Sequence, residues 1–331
     1  MIPTSERPFR IGVALSGGTL KAAAHAGALE ALRDLGVNPA MAAGTSAGAV
    51  VAALFAHGYA RTDYLDLIRH FPGTSLLDYG LPWSLRVSRF LRLPIHLSHR
   101  PQRIRFPGGL VRGQTLQRYF RKTLAGRKPI APFFVLATDL VTGDPVVFSN
   151  YPPAVASGRA LPASPIEQCL LASCALPGIF RPVCRENQVL VDGALRHYVP
   201  VYVLREMGCQ KIIVVNLHTL DRDWRPRHLV DVLIRSFDVL LRETIEDDMG
   251  GDDVYVVEPS VQGMNWTSLQ RLEDSFYAGY EAVISIRQRL LTWIHDGPPI
   301  HRRPPLQMRR SAEIPPRTTG KRPDNRKTSA P

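Results

Sequence analysis

The sequence predicts an α/β protein of three layers (α/β/α), in which helices cover both faces of a mostly parallel central sheet. Two observations predict this class. Stretches with the apolar pattern of buried strands alternate with stretches of helical periodicity, which is typical of parallel sheets. Turn-forming Gly and Asp residues also stand at the ends of several predicted strands. At 331 residues, the chain is long for one average domain but within the range of a single α/β unit.

The predicted elements of the N-terminal half follow in order. RIGVALSG is a buried strand, a helix follows over about Leu20–Leu35, and Gly36 ends it. A short strand precedes Gly44, and the helix Ala47–His57 is closed by Gly58. RTDYLDLIRHF is predicted to be an amphipathic helix, the basic stretch 81–112 is irregular, and GQTLQRYFRKTL is predicted to be helical after it.

The C-terminal half continues the alternation. PFFVLATDL and PVVFS are expected to form a strand pair around a turn marked by Gly143, and IEQCLLASCA a helix stopped at Pro177. QVLVDG, KIIVVNLH and DDVYVVEP are predicted strands. One long helix is predicted over about Leu269–Ile294.

Composition narrows the class of protein. No apolar run approaches the ~20 residues of a membrane span, and MIPTSERPFR lacks the apolar core of a secretory signal. The four cysteines have neither metal-site spacing nor the pattern of a disulfide framework, so we expect a reducing, cytoplasmic location. They are Cys169, Cys174, Cys184 and Cys209.

The net charge of +12 is concentrated in two blocks. Residues 81–128 contain twelve Arg or Lys and no Asp or Glu, and residues 301–331 contain nine basic and two acidic residues. Such blocks indicate an anionic partner, either lipid head groups or nucleic acid. We expect a domain over residues 1–296 with a basic insertion at about 80–112, and a basic, Pro/Arg-rich disordered tail over 297–331.

Three marked segments are expected at the carboxyl ends of strands, where parallel sheets bind their ligands. They are Ser16-Gly17-Gly18, the segment from Gly44 to Gly48, and Asp192-Gly193. Their coincidence at one edge of the sheet predicts a functional site there.

The segment GTSAG fits the nucleophile elbow G-x-S-x-G, with Ser46 at the corner. A strand that turns at once into a helix strains the corner residue, and Gly44 and Gly48 remove the Cβ atoms that would collide. The Ser46 hydroxyl is then held near a helix N-terminus, whose partial positive charge favours a developing oxyanion. The alternative interpretation is close strand–helix packing without chemistry.

SGGTLKA follows the first strand, and its glycine pair can form a nest of backbone N–H groups for an anion. The phosphate-loop motifs G-x-x-x-x-G-K-[ST] and G-x-G-x-x-G are both absent. Beside a serine elbow, an oxyanion hole is the better use for these donors.

A serine nucleophile needs a base at neutral pH, and two candidates stand at strand ends. Asp192 in VDGA is the stronger one, because its glycine neighbour permits close approach. His218, just after KIIVVNL, would instead give a triad. An ordinary turn or helix-cap role remains the alternative for Asp192, and an ordinary loop role for His218.

Four segments together resemble the patatin-like phospholipase family: GGTLKA, GTSAG, ASCALPGIFRPV and DGALRHYVPV, in this order. ATDLVTGDPVVF and AGYEA also resemble bacterial members, and the resemblance covers roughly Phe9 to Leu291. It implies a Ser46–Asp192 dyad without histidine and an oxyanion hole of the Gly17, Gly18 and Thr19 amides. It further implies hydrolysis of acyl esters in lipids, with neither metal nor cofactor.

The sequence departs from the family's usual loop, G-G-G-x-[RK]-G. Thr19 replaces the third glycine and Ala22 the last, while Lys21 keeps the basic position. If residue 19 needs a positive φ, a β-branched side chain there is strained by about 1–2 kcal/mol. Asp192-Gly193 is followed by Ala194 instead of a second glycine, a mild change. A catalytically weak protein with a lipid-binding or regulatory role is therefore the alternative function.

The basic stretch predicts a membrane-surface helix. Trp83 and Phe90 share one side of a helical wheel, while Arg86, Arg89 and Arg92 face away, a pattern suited to an anionic lipid interface. Packing on the domain with solvated arginines is the alternative. We expect a peripheral location at the inner membrane surface. A nucleic-acid partner is not expected, because no recognition fold accompanies the basic tail.

Overall fold

The sheet lies at the centre of the protein between two layers of helices, as shown by a computed structural model that describes residues 10–79, 108–220, 224–226, 229–261, 264 and 268–296. The membrane-surface candidates from Trp83 to Arg92 and the tail over 297–331 lie outside these residues. The strands of the structure are β1 (Ile11–Leu15), β2 (Met41–Thr45), β3 (Gly109–Val111), β4 (Phe133–Asp139), β5 (Pro145–Ser149), β6 (Leu161–Pro162), β7 (Gly178–Phe180), β8 (Val183–Arg185), β9 (Gln188–Asp192), β10 (Lys211–Val215) and β11 (Val254–Val257).

The helices alternate with these strands. They are α1 (Ala23–Asp34), α2 (Ala47–Ala56), α3 (Arg61–Arg69), α4 (Gln114–Leu124), α5 (Pro152–Ala156), α6 (Ile166–Ser173), α7 (Val201–Glu206), α8 (Leu229–Asp248), α9 (Leu272–Ser285) and α10 (Arg287–His295). The strand order is β11-β10-β1-β2-β4-β5-β6, with β9 also paired to β4 and β8 to β9. The five strands from β11 to β4 are parallel, which confirms the predicted class of fold.

Alternate side chains of the central strands enter separate cores on the two faces of the sheet. In β10, Ile213 and Val215 pack with α1 and α2, whereas Ile212 and Val214 pack with α7 and α8. All four are fully buried. Successive side chains of a strand point to opposite faces of the sheet, and here both faces are covered by helices. Every position is therefore buried, which explains the continuous apolar runs in the sequence.

Two strands share one edge of β4 and meet end to end. β5 pairs with the opposite edge of β4 over Phe134–Thr138. On the shared edge, β2 ends with Thr45 opposite Leu136, and β9, which runs in the other direction, ends with Asp192 opposite Ala137. Because Leu136 and Ala137 are consecutive, the ends of β2 and β9 lie about one strand residue apart.

Two sequence predictions of secondary structure need correction, and one helix was missed. The single helix over Leu269–Ile294 is a 3₁₀ turn followed by α9 and α10, because Ile286 (φ −107°, ψ 6°) interrupts the helix between them. The helix before Pro177 ends already at Ser173. The 20-residue helix α8 was not predicted at all.

Among the helices in the described part of the chain, none is both long enough and apolar enough to cross a bilayer.

Candidate active site

Ser46 stands at a strained corner between β2 and α2. Its backbone has φ 55° and ψ −127°, a positive φ that L-residues rarely adopt, and it is the N-cap residue of α2. Such strain persists only where the surrounding structure fixes it. The corner therefore has the geometry that the G-x-S-x-G pattern predicts.

The two elbow glycines allow the strand and the helix to come this close. A Cβ on Gly44 would overlap the backbone of Gly48, and a Cβ on Gly48 would overlap the carbonyl groups of Leu15 and Ser16 in and after β1. Both contacts are with backbone atoms, which have little freedom to move. These two positions therefore require glycine, and they bring the Ser46 corner against the end of β1.

Asp192 contacts Ser46 from the neighbouring strand end. Its carboxylate is hydrogen-bonded to the Ser46 side chain and also accepts the N–H of Ala194 at 2.9 Å. A Cβ on Gly193 would overlap the Leu136 carbonyl of β4, so this glycine lets the chain turn away directly after Asp192. The end-to-end arrangement of β2 and β9 thus brings together two residues that are far apart in the sequence.

Burial makes Asp192 a better proton acceptor than an ordinary aspartate. The side chain is 3% exposed, and desolvation raises its pKa to about 6 against the opposing hydrogen bonds from Ala194 and Ser46. The Cys174 thiol and the Tyr198 phenol interact electrostatically with this carboxylate, and burial raises the pKa of both. Both groups are neutral near pH 7. Among the described residues, no cation lowers the pKa of Asp192.

The Gly-rich loop after β1 carries two unpaired amides. Within the described part of the chain, the N–H groups of Gly18 and Thr19 have no hydrogen-bond acceptor. Gly17 differs from the sequence expectation of a third donor, because its N–H donates to the Tyr198 carbonyl at 3.3 Å. Thr19 has φ 51° and is exposed. Ala22 has φ −59°, so the family's last glycine is not needed for backbone conformation.

A buried polar network beneath this loop was not predicted from the sequence. The Tyr198 hydroxyl donates to the Gly17 carbonyl at 2.8 Å, and Ser16 Oγ donates to the same carbonyl at 2.9 Å. The Leu217 N–H donates to Ser16 Oγ at 2.9 Å. The network fixes Ser16 and Gly17, directly before the two unpaired amides.

His25 of α1 supports the same loop. Its Nε2 lies 2.9 Å from the Ser16 carbonyl, and complete burial lowers its pKa to about 4. The ring is therefore neutral at pH 7 and must donate its single N–H to that carbonyl. A His within an Ala-rich helix gave no sequence signal for this role.

Lys21 and His218 lie behind the loop. Lys21 Nζ donates to Thr219 Oγ1 at 2.9 Å. His218 Nε2 lies 2.8 Å from the Asp238 carbonyl of α8, and its ring packs edge-on against Tyr198 with centroids 5.6 Å apart. No hydrogen bond joins His218 to Ser46 among the described residues. The geometry favours Asp192 over His218 as the partner of Ser46.

Ser173, at the end of α6, is a further site residue, and it lies in the segment ASCALPGIFRPV, for which no role in the site was predicted from the sequence. Its fully buried hydroxyl accepts the Ser46 N–H at 2.9 Å and donates to the Leu136 carbonyl at 2.5 Å. The backbone amide of the corner residue is therefore already engaged.

Across the described ranges, no group of three or more His, Cys, Asp or Glu side chains could hold a metal ion.

A serine on a strained elbow, a buried aspartate in contact with it and a loop of unpaired amides place the chain among α/β proteins with a candidate nucleophile at the edge of the sheet. The family is defined by comparison of sequences. The model of the patatin-like phospholipase family matches residues 13–205, more than half of the chain, and the protein belongs to this family.

The relatives differ widely in length. The uncharacterized protein YqhO of Bacillus subtilis (strain 168) is 29% identical over 244 residues, which cover 70% of this chain and 79% of YqhO. An uncharacterized NTE family protein of Mycobacterium tuberculosis (strain ATCC 25618 / H37Rv) is 28% identical over 209 residues, 62% of this chain but 30% of that protein. Neuropathy target esterase sws of Drosophila melanogaster is 24% identical over 220 residues, 64% of this chain but 13% of that protein.

Among solved structures, VipD from Legionella pneumophila aligns with a TM-score of 0.44 and 14% identity over 86% of this chain and 67% of VipD.

Proposed function

We propose that this protein is a serine hydrolase of carboxylic esters in lipids, of the phospholipase A or lysophospholipase type. The observation that carries the proposal is the contact between the Ser46 hydroxyl on its strained corner and the buried Asp192 carboxylate. Membership of the patatin-like phospholipase family supports a lipid substrate, and one relative is named an esterase.

In the proposed reaction, Ser46 Oγ attacks the ester carbonyl while its proton passes to the Asp192 carboxylate. The resulting oxyanion accepts hydrogen bonds from the free amides of Gly18 and Thr19, and Gly17 orients this pair through its bond to Tyr198. Collapse of the tetrahedral intermediate expels the alcohol, which takes the proton from Asp192. A water molecule then gives a proton to Asp192 and attacks the acyl-serine. Collapse of this second tetrahedral intermediate releases the fatty acid, and Asp192 returns the proton to Ser46 Oγ.

The environment of Asp192 suits this role. A general base works best with a pKa near the working pH, and a value of about 6 is closer to neutrality than that of an exposed aspartate. The rate should therefore fall on acidification below about pH 6, as Asp192 becomes protonated.

The test combines covalent labelling with hydrolysis. A fluorophosphonate probe should label the wild-type protein at Ser46, and the same protein should hydrolyse a phospholipid or lysophospholipid, whereas Ser46→Ala should do neither. Asp192→Asn should lower kcat by about a thousandfold or more. His218→Ala is the matched control, since it removes the other candidate base and should retain more than half of the activity. Near-normal hydrolysis by Asp192→Asn, or a large loss in His218→Ala, would contradict the assignment.

Thr19 favours a second candidate function, a catalytically weak protein that binds lipid or regulates. Its positive φ and exposed position place one oxyanion donor on a strained residue, and a misplaced donor costs about a hundredfold or more in rate. Labelling of Ser46 without measurable turnover of lipid would favour this candidate.

Membrane association remains a prediction from the sequence. We propose that the segment from Trp83 to Arg92 binds an anionic lipid surface, with Arg86, Arg89 and Arg92 facing the head groups. Charge reversal at the three arginines should weaken sedimentation with phosphatidylserine vesicles, and unchanged sedimentation would rule the segment out. The domain limits, 1–296 with a separate tail, are likewise proposed.

A further inference from the structure

The segment Ser173–Cys174–Ala175, which ends α6, contacts the backbone of both Ser46 and Asp192. Ser173 Oγ accepts the Ser46 N–H at 2.9 Å, and the Ala175 carbonyl accepts the Asp192 N–H at 3.0 Å. Cys174, between them, is near enough to interact electrostatically with the Asp192 carboxylate. One short stretch of chain therefore holds the amides of the nucleophile and of its base.

The Ser173 hydroxyl also connects this segment to the sheet. It donates at 2.5 Å to the Leu136 carbonyl of β4, and Leu136 is the residue opposite which β2 ends. The next residue of β4 is opposite Asp192. Ser173 thus bonds to the strand at the point where the two partners meet.

The Ser46 N–H needs this acceptor. As the N-cap residue of α2, Ser46 has no intrahelical partner for its amide, and a buried donor without an acceptor is strongly disfavoured. Ser173 is fully buried, so water cannot readily replace it. Without Ser173, the positive-φ corner loses a constraint that is independent of the elbow glycines.

We propose that Ser173–Ala175 is a positioning segment that fixes the separation of Ser46 from Asp192, with Ser173 as its positioning residue. This inference rests on the proposed hydrolase function. The Ser173 side chain does not touch substrate in this assignment. It determines where the Ser46 hydroxyl points and whether Asp192 can reach it.

The chain offers a matched control in Ser149. This serine, 1% exposed, accepts the Tyr151 N–H at 2.9 Å and donates to the Phe133 carbonyl of β4 at 2.8 Å. Like Ser173, Ser149 accepts a backbone N–H and donates to a carbonyl of β4, but it does so at the end of β4 away from Ser46. Ser173→Ala and Ser149→Ala therefore remove equivalent bonds at different distances from the dyad.

We expect both alanine variants to lower Tm by similar amounts. Ser173→Ala should lower kcat by about 10- to 100-fold with KM changed less than about twofold, since a misplacement of about 1 Å has effects of this size. Ser149→Ala should keep kcat within about twofold of wild type. Equal kcat values for Ser173→Ala and the wild type, or an equal loss in Ser149→Ala, would overturn the inference.

The pH profile gives a readout that general destabilisation would not move. The hydrogen bond from Ser46 lowers the pKa of Asp192, so a looser contact in Ser173→Ala should shift the acidic limb of kcat/KM to higher pH. The limb should stay in place in Ser149→Ala. An unshifted limb in Ser173→Ala would contradict the positioning role.

Two outcomes separate this inference from the proposed function. If Ser173→Ala does not fold, Ser173→Cys, which keeps the size but is a weak acceptor, should fold and still lose kcat, and wild-type kcat in that variant would overturn the inference. If the wild type is neither labelled nor active on esters, the proposed function fails, and the positioning role fails with it. An active wild type beside an equally active Ser173→Ala refutes the inference alone.

Discussion

Two corners on neighbouring strands both have a positive φ but very different surroundings. Ser46, after β2, has φ 55° and Thr19, after β1, has φ 51°. On either side of Ser46, Gly44 and Gly48 pack directly against backbone atoms, and the Ser46 N–H donates to Ser173 Oγ. Thr19 is exposed, with its own amide free. The positive φ of Ser46 is therefore held in place by many surrounding contacts, whereas few contacts constrain the positive φ of Thr19.

The largest expected effect comes from relieving the strain at Ser46. Ser46→Gly removes the hydroxyl, so hydrolysis should fall by at least about a thousandfold. Ser46→Ala should be equally inactive but keep the positive-φ strain. Urea unfolding should therefore show Ser46→Gly to be more stable than Ser46→Ala by about 1 kcal/mol. Equal stability would mean that the corner is not strained.

The enclosure of the corner can be tested at Gly48. Gly48→Ala should destabilise the protein by about 3 kcal/mol or more, because the new Cβ would overlap the backbone of Leu15 and Ser16. Gly108→Ala is the control, since its Cβ would meet Pro182 Cδ at 3.4 Å, an ordinary contact. Chemical unfolding of both variants gives the difference. A tolerated Gly48→Ala would show that α2 moves freely against β1.

Each corner also has a buried titratable group near it, and the two groups act in opposite directions. The pKa of Asp192 is raised to about 6, so its contribution to stability falls as pH rises from about 4 to 6. The pKa of His25 is lowered to about 4, so its contribution falls as pH drops from 6.5 to 4. In the wild type the two dependences largely cancel.

Variants should reveal each dependence by itself. Asp192→Asn should lose on the order of 3 kcal/mol of unfolding free energy between pH 6.5 and 4, because the His25 dependence is no longer offset by that of Asp192. His25→Gln should instead gain stability on acidification from pH 6 to 4. Urea titrations at several pH values measure both. Parallel curves for the two variants would contradict the pKa assignments.

The smallest expected effect is at Thr19. Thr19→Gly restores the family's residue at a positive φ and should raise the free energy of unfolding by about 1 kcal/mol. If strain limits the oxyanion donor, kcat should rise by up to about tenfold. Thr19→Ala is the control, because it removes the branched side chain but keeps the positive φ. Equal gains in both variants would assign the effect to side-chain bulk.

The sequence predicted the elements whose signals are local. β1 and β10 are buried on both faces and read as apolar runs, and the pattern around Ser46 contains its own strand, corner and helix. Part of the G-x-S-x-G spacing reflects a contact within a few residues, that of Gly44 with the backbone of Gly48. Such features could be read without knowledge of the fold.

The features that were missed depend on contacts between distant parts of the chain. The role of Ser173 requires α6 to meet β4 and the elbow, and that of His25 requires α1 to pack beneath the loop. Helix α8 carries exposed apolar residues such as Val239 and Leu240 among its charges, which blurred its periodicity. The break at Ile286 is a local change of backbone without a Pro or Gly to mark it.

The end-to-end meeting of β2 and β9 beside β4 has a consequence for synthesis. A growing chain that has reached β4 already contains Ser46, but it does not yet contain the strand that pairs with β4 beyond Leu136. The carboxylate arrives only when residues 188–192 leave the ribosome and fill that edge of β4. An unfinished copy therefore has Ser46 without Asp192, and under the proposed function it would lack its base until β9 has been added.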